Sequence, residues 1–352
     1  MKSFHCSQCG MMIFFENDRC LKCGHPLGVV PEVMDMRALE KVNGEEWQLT
    51  GTAASGKKHR SCANGKQYGI CNWLVPAEDP NAWCVACRLN KVIPDLSDPK
   101  NLKRWSKVEL AKRRCLYTFL KLGLRLESAP ANNPPPLRFK FLQDMPNGPV
   151  KTGHENGVIT INIAEADEDE RERRRLDMRE PYRTLIGHIR HESGHYYWDR
   201  LIASSPNLPG FRKLFGDDTA NYNAALETYY RQGPPADWAA RTVSAYASSH
   251  PWEDWAETWA HYLHIMDTLE SAASFGLGMK DTAPDKTGYL PINYGENMDF
   301  DQLLAAWAPL TTALNTINRS MGLPDLYPFV IPPPVVAKLH FIHNVVLEFN
   351  HR

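Results

Sequence analysis

The chain has 352 residues, of which 43% are hydrophobic and 23% charged, with a formal net charge of −1. Such proportions exclude a fibrous or disordered chain, and no stretch reaches the roughly 18 consecutive apolar residues that a membrane span needs. The opening Met1-Lys2-Ser3-Phe4-His5-Cys6 lacks the apolar run of a signal peptide, so the expectation is a cytoplasmic protein, and the length favours two domains over one core.

The first 87 residues hold eight of the nine cysteines. Cys6-x2-Cys9 and Cys20-x2-Cys23 are two knuckles, each followed by a glycine (Gly10, Gly24) that lets the backbone turn its amides toward thiolate sulfur, and four thiolates suit a closed tetrahedral zinc site. Cys62, Cys71 and Cys84-x2-Cys87 form a looser set, read as a second four-cysteine zinc site. Disulfides are the rival reading, but they need an oxidising compartment, which the missing signal peptide argues against. His5, His25 and His59 lie near the knuckles and could replace a cysteine, but four cysteines per site already satisfy the metal. Cys115 falls in a helical pattern and reads as a small buried apolar residue. Residues 1–128 carry 20 Lys and Arg against 13 Asp and Glu, and the remainder 20 against 28. That asymmetry is weak, so nucleic acid is not the expected partner.

Trp105, Val108, Leu110, Ala111, Cys115, Leu116, Phe119 and Leu120 follow helical spacing, while Asn132-Asn133-Pro134-Pro135-Pro136 cannot be helix. The chain is therefore divided into a zinc-ribbon domain over 1–100, a connecting helix over 101–128, and a second domain over 129–352. Strands are expected at 137–142 and 157–164, the latter as the edge to which an extended substrate adds. The charge run 167–177 reads as a solvated helix, with Asp169 to Arg173 and Glu170 to Arg174 at i,i+4 spacing. Further helices are expected near 181–203, 219–232, 236–247, 252–272, 299–319 and 335–349.

His191-Glu192-Ser193-Gly194-His195 lies in the first of these. Residues four apart share a helix face, so His191 and His195 can bind one metal while Glu192 flanks it as the base that takes a proton from an activated water. His188, three residues earlier, is read as a neighbour of the ligands. A histidine six residues after His195 would complete one known ligand set, but position 201 is Leu and position 198 is Trp. A downstream carboxylate is needed instead, and Pro251-Trp252-Glu253-Asp254-Trp255-Ala256-Glu257 supplies it. Glu253 and Glu257 share a face, so one can bind zinc while the other supports a ligating histidine. Glu253 is taken as the third ligand and Glu257 as the support, with the reverse assignment as the competitor. Asp199 is a weaker support, and Asp254 points about 100° away.

His191-Glu192-x-x-His195 with Glu253-Asp254-Trp255-Ala256-Glu257 resembles the glutamate-zincin pattern, and its Glu-x-x-Ala-Glu helix is similar to that of the anthrax lethal factor catalytic domain. That resemblance implies an oxyanion-binding tyrosine seven residues before the glutamate, here Tyr246. The whole chain resembles a bacterial family of zinc-binding metallopeptidases with an N-terminal zinc ribbon. The resemblance rests on Phe4-x-Cys6-x2-Cys9-Gly10, Cys20-x2-Cys23-Gly24, Cys71-Asn72-Trp73-Leu74-Val75, Cys84-x2-Cys87-Arg88-Leu89 and Gly187-His188-x-Arg190-His191-Glu192-x-Gly194-His195-Tyr196-Tyr197-Trp198. The expectation is an α+β, zincin-like, mostly helical peptidase domain with a small sheet. It would carry one catalytic and two structural zinc ions and act on a peptide or protein. The rival is a zinc-ribbon adaptor for a protein or nucleic acid with little hydrolytic activity.

Overall fold

The computed structural model of the protein describes residues 2–51, 56–126, 135–144, 148, 150–177, 180, 182–280, 289–295 and 298–350. The front of the chain forms a two-stranded hairpin, β1 (Phe4–His5) and β2 (Met12–Ile13). It is followed by an antiparallel five-stranded sheet in sequential order: β3 (Leu27–Val30), β4 (Asp35–Lys41), β5 (Glu46–Leu49), β6 (Lys58–Ser61) and, after a short helix α1 (Ala63–Tyr68), β7 (Leu74–Pro76).

Next comes β8 (Asn90–Val92), the long helix α2 (Pro99–Lys121), and β9 (Arg138–Leu142), β10 (Gly153–Glu155) and β11 (Val158–Asn162). These strands make a second sheet in the order β10-β11-β9-β8, with β8, β9 and β11 parallel and β10 antiparallel to β11. β8 and β9 are joined through α2, as a parallel pair requires a crossover. Alternating Phe139 and Phe141, and Ile159 and Ile161, are buried, as a period of two dictates.

One expectation is corrected here: β11 lies between β9 and β10, so it is not an edge. Asn156 and Gly157 both take positive φ (48° and 78°), the geometry of a tight two-residue hairpin, and they fold Gly153–Glu155 back along β11. Among the described residues the edge on that side is β10.

The rest is helical: α3 (Glu168–Asp177), α4 (Leu185–Leu201), α5 (Leu208–Phe215), α6 (Tyr222–Gln232), α7 (Trp238–Arg241) and α8 (Pro251–Ser274). A small hairpin of β12 (Gly278–Lys280) and β13 (Tyr289–Pro291) then leads to α9 (Phe300–Ser320) and α10 (Pro333–Asn350). The helix expected over 236–247 is only the single turn α7 plus a 3-10 turn at Tyr246–Ser249. Ser244 explains the break, because its hydroxyl accepts from Ala247 N and competes with helical backbone bonding. In α3, Glu170 pairs with Arg174 as expected, but Arg173 also turns to Glu170 instead of Asp169. Pro134 and the residues before it in the expected linker, and Pro181 near the expected start of α4, lie outside the described residues.

Most buried apolar side chains of the cysteine-rich front and the helical part form one continuous core, while Val30, Leu39, Leu49 and Leu74 of the front sheet make a small separate cluster. Tyr117 of α2 packs edge-on against Phe4 and Phe15, at 6.0 and 5.6 Å between ring centroids, and Phe15 against Trp73 at 6.2 Å. Elsewhere on α2, Glu109 and Lys112 are fully buried as a 2.9 Å ion pair, with Asn90 hydrogen-bonded to both and the Lys112 ammonium 5.4 Å from the rings of Phe139 and Phe141. A buried ion pair is tolerable only when its remaining polar atoms find partners, and Asn90 supplies one to each side. Cys115 is wholly buried, and burial pushes its thiol up to about 12.

Candidate metal centres

The cysteines gather into two groups. Cys6, Cys9, Cys20 and Cys23 converge, as do Cys62, Cys71, Cys84 and Cys87. Sulfur separations are 3.6 Å for Cys6 to Cys23, 3.6 Å for Cys9 to Cys20 and 3.7 Å for Cys71 to Cys84. Four sulfurs at about 2.3 Å from one tetrahedral centre stand about 3.8 Å apart, whereas bonded sulfurs lie about 2.05 Å apart, so the spacing fits zinc and not disulfides. Gly10 and Gly24 take φ of 71° and 75°, and their amides bond back to the carbonyls of Cys6 and Cys20, closing the two knuckles. Arg113, buried on α2, donates to the carbonyl of Ile70 beside Cys71 and places a positive charge near the thiolates of the second group.

The third group comprises His191, His195 and Glu253, whose ligand atoms lie within 4.8 Å of one another and could hold a metal ion. α4 carries the histidines and begins at Thr184, whose hydroxyl accepts from Gly187 N at 3.0 Å. Ile189, Tyr196 and Leu201 are buried on that helix, while Leu185 and Ile186 are only half-buried. α8 carries Glu253 in its first turn and is capped by His250, which accepts from Trp252 N. Ser193 and Gly194, between the two histidines, explain how the helices meet. A Cβ on Gly194 would stand 2.7 Å from Ala256 Cα, so glycine permits the close crossing. Trp255 donates to Gly194 O (2.9 Å) and Trp259 to Ser193 Oγ (3.1 Å), fixing the register of the crossing.

Glu253 is 1% exposed, with Oε2 3.0 Å from His191 Nε2 and Oε1 3.5 Å from His195 Nε2. Oε2 is buried without a hydrogen-bond partner, as expected of an atom reserved for a metal. His191 Nδ1 lies 2.7 Å from Glu257 Oε1, and Ser244 Oγ donates to Glu257 Oε2 at 2.6 Å, so Nε2 of His191 is the nitrogen left facing Glu253. Burial opposes charge on both partners, yet the Glu253 and Glu257 carboxylates raise the His191 imidazole well above its ordinary range, and the histidines hold Glu253 well below its own. Among the described residues the ion pairs of Glu192, Glu253 and Glu257 are all with histidines, and if those histidines were neutral, as metal ligands must be, the carboxylates would carry a negative charge that a divalent cation fits.

Glu192 is 5% exposed, and Glu192 Oε1 stands 3.9 Å from His188 Nε2. His188 Nδ1 in turn meets Glu165 at 2.8 Å, and Arg183 meets the same carboxylate at 3.1 Å; burial opposes ionisation of Glu165, but His188 and Arg183 hold it below the usual carboxylate range. The Tyr246 ring lies 6.0 Å from that of His191 and edge-on to Tyr229, with its phenol pushed up by burial and then by Glu253. Asp254 faces away, to Lys338 at 2.5 Å, and burial pushes its carboxyl up to about 6. Asp199 is half-buried near His195, its carboxyl raised by burial.

Several neighbours were not singled out by the sequence. The Tyr222 hydroxyl donates to Glu253 Oε1 at 2.5 Å, the Trp252 ring is 4.0 Å from that of His195, and the His154 ring of β10 is 6.4 Å from it. Burial, then His195, pushes the His154 imidazole down to about 4. Only the Asn156-Gly157 pair, a hairpin signature, could have announced β10 and its His154. Nothing in α6 marks Tyr222, 31 residues before its partner in the chain.

Comparison with known proteins finds zinc-related families over both parts of the chain. A family described as "Putative zinc-binding metallo-peptidase" matches residues 101–345, and a zinc-ribbon domain family matches residues 3–98. Uncharacterized proteins of Mycobacterium bovis and of two strains of Mycobacterium tuberculosis are each 42% identical over 349 residues, covering 99% of this chain and 96% of theirs. No solved structure matches. The chain therefore belongs to the zinc-binding metallopeptidase family that matches its helical part, and carries a zinc-ribbon domain in front of it.

Proposed function

We propose that the protein hydrolyses peptide bonds with Glu192 as general base, at a zinc held by His191, His195 and Glu253. The observation that carries this reading is the convergence of two imidazole nitrogens on a buried Glu253, His191 Nε2 at Oε2 and His195 Nε2 at Oε1, with a second buried carboxylate, Glu192, next to His191 in the chain. Zinc bound there would supply Lewis acidity, polarising the scissile carbonyl and lowering the pKa of water to about 7.

The chain's own residues do the rest. Glu192 accepts the proton of the attacking water and passes it to the departing amine. Glu257 accepts from His191 Nδ1, which fixes the tautomer whose Nε2 lone pair is free to ligate. Tyr246, beside His191, is the hydroxyl assigned to the developing oxyanion. An extended peptide pairs with the edge strand β10, whose His154 flanks His195. The ribbons hold their zinc ions for structural reasons, since four thiolates leave no open position.

The test is peptide and protein cleavage by the wild type and Glu192→Gln, with metal content measured in parallel. The expected result is full metal in the variant and a loss of turnover of about 10²- to 10⁴-fold. Unchanged turnover would remove Glu192 from the mechanism. If residues 2–126 in the intact protein direct binding to a protein or nucleic acid while no peptide is cleaved, the adaptor reading replaces this one.

A further inference from the structure

The two oxygens of Glu253 are in different situations. Oε2 faces His191 Nε2 and has no hydrogen-bond partner, whereas Oε1 accepts the Tyr222 hydroxyl at 2.5 Å. Tyr222 opens α6, a helix without one buried residue, set between Gly216 and Gly233 with φ of 113° and 79°. What α6 turns toward the centre is aromatic: Tyr222 packs edge-on against His250 and Trp252, at 5.2 and 5.6 Å, and Tyr229 edge-on against Tyr246. A phenol hydroxyl is an ordinary O–H donor, and here the carboxylate oxygen accepts. A hydrogen bond from a neutral hydroxyl to a buried carboxylate is short and strong, and it competes for the lone pairs of the oxygen it reaches.

We propose that Tyr222 is a positioning residue of the third metal centre: by engaging Oε1 it makes Glu253 a one-oxygen ligand and keeps a coordination position open. A carboxylate free to bind through both oxygens would fill the place that water or a substrate carbonyl needs, and hydrolysis requires that place. The inference rests on the reading of His191, His195 and Glu253 as a metal site. It assigns Tyr222 a role distinct from that of Tyr246, which lies beside His191.

The experiment uses the full-length protein with its ribbon metals retained, the third site stripped by a mild chelator and reloaded with Co2+ alone. The wild type is expected to show the intense visible bands of four-coordinate cobalt. Tyr222→Phe keeps the ring contacts and removes only the hydroxyl; it is expected to shift to the weaker bands of five-coordinate cobalt and to lower peptide turnover by about 10- to 100-fold. Tyr246→Phe should leave the cobalt spectrum as in the wild type. A Tyr222→Phe spectrum identical to the wild type would overturn the inference, even if activity fell. Cobalt uptake unaffected by Glu253→Gln would instead sink the metal-site reading itself, and the inference with it.

Discussion

The cysteine groups and the His191, His195, Glu253 group differ in how their ligands are brought together. Each four-cysteine set comes from a short stretch of chain, 6–23 or 62–87, that holds no long helix, so a metal bound there would cross-link segments joined by little regular structure. The third set spans two long helices whose crossing is made by Trp255, Trp259 and the glycine at 194, independent of any ion. The first kind of site would tie its local fold together through a metal, whereas the second would receive a metal in a fold already made.

The sharpest way to break that contrast is to remove metal in stages. Stripping the third site should leave the far-ultraviolet circular dichroism unchanged, whereas stripping both cysteine groups should cost on the order of 10 kcal/mol of metal-coupled stability at each and melt the front sheet. Loss of helix on removal of the third metal alone would erase the distinction. Next in size, Glu253→Gln should weaken metal binding at the third site by more than about 100-fold and Glu257→Gln by about 10-fold, read by titration with zinc; the opposite order would exchange their roles.

The helical part should also lose stability in acid for reasons unrelated to the ribbons. Burial holds the His261 imidazole down to about 4, with its Nδ1 2.6 Å from the Tyr327 hydroxyl. The unfolded chain takes up that proton near 6.5 and the folded chain only near 4, so this contribution is complete above pH 6.5 and is lost as pH falls toward 4. It amounts to about 3 kcal/mol for one fully buried histidine. Urea unfolding of the metal-loaded wild type and His261→Gln at pH 7 and 4.5 would test this, the variant being expected to lose less. Smallest is Gly194→Ala, which should destabilise by about 1–2 kcal/mol, since the clash with Ala256 outweighs the gain in helix propensity. A neutral or stabilising effect would mean that the crossing of α4 and α8 can relax.

How much of this was legible in the chain depends on the range of the interaction. The knuckles of the first cysteine group are readable because two thiolates and a following glycine fit one tight turn, and the spacings of His191 with His195 and of Glu253 with Glu257 are readable because four residues make about one helical turn. The separation of Glu253 from Glu257 needed tertiary contacts. Both lie on one face, and only the placement of Ser244 and of His191 Nδ1 turns Glu257 to the far side of the imidazole. Alternation marks β11 as a strand but does not say which strands flank it, and its place inside the sheet follows only from the Asn156-Gly157 turn.

The sequence by itself determined which residues could ligate metal and which two helices would carry His191, His195 and Glu253, because ligand chemistry and hydrophobic periodicity are properties of short segments. Tertiary structure alone decided that β8 of the front pairs with β9 of the second sheet, that β10 is the edge among the described residues, and that a tyrosine on an exposed helix reaches the carboxylate of Glu253. The physical reason is that each of these depends on side chains or strands brought together by packing, and α6 has no buried face of its own to announce where it will rest.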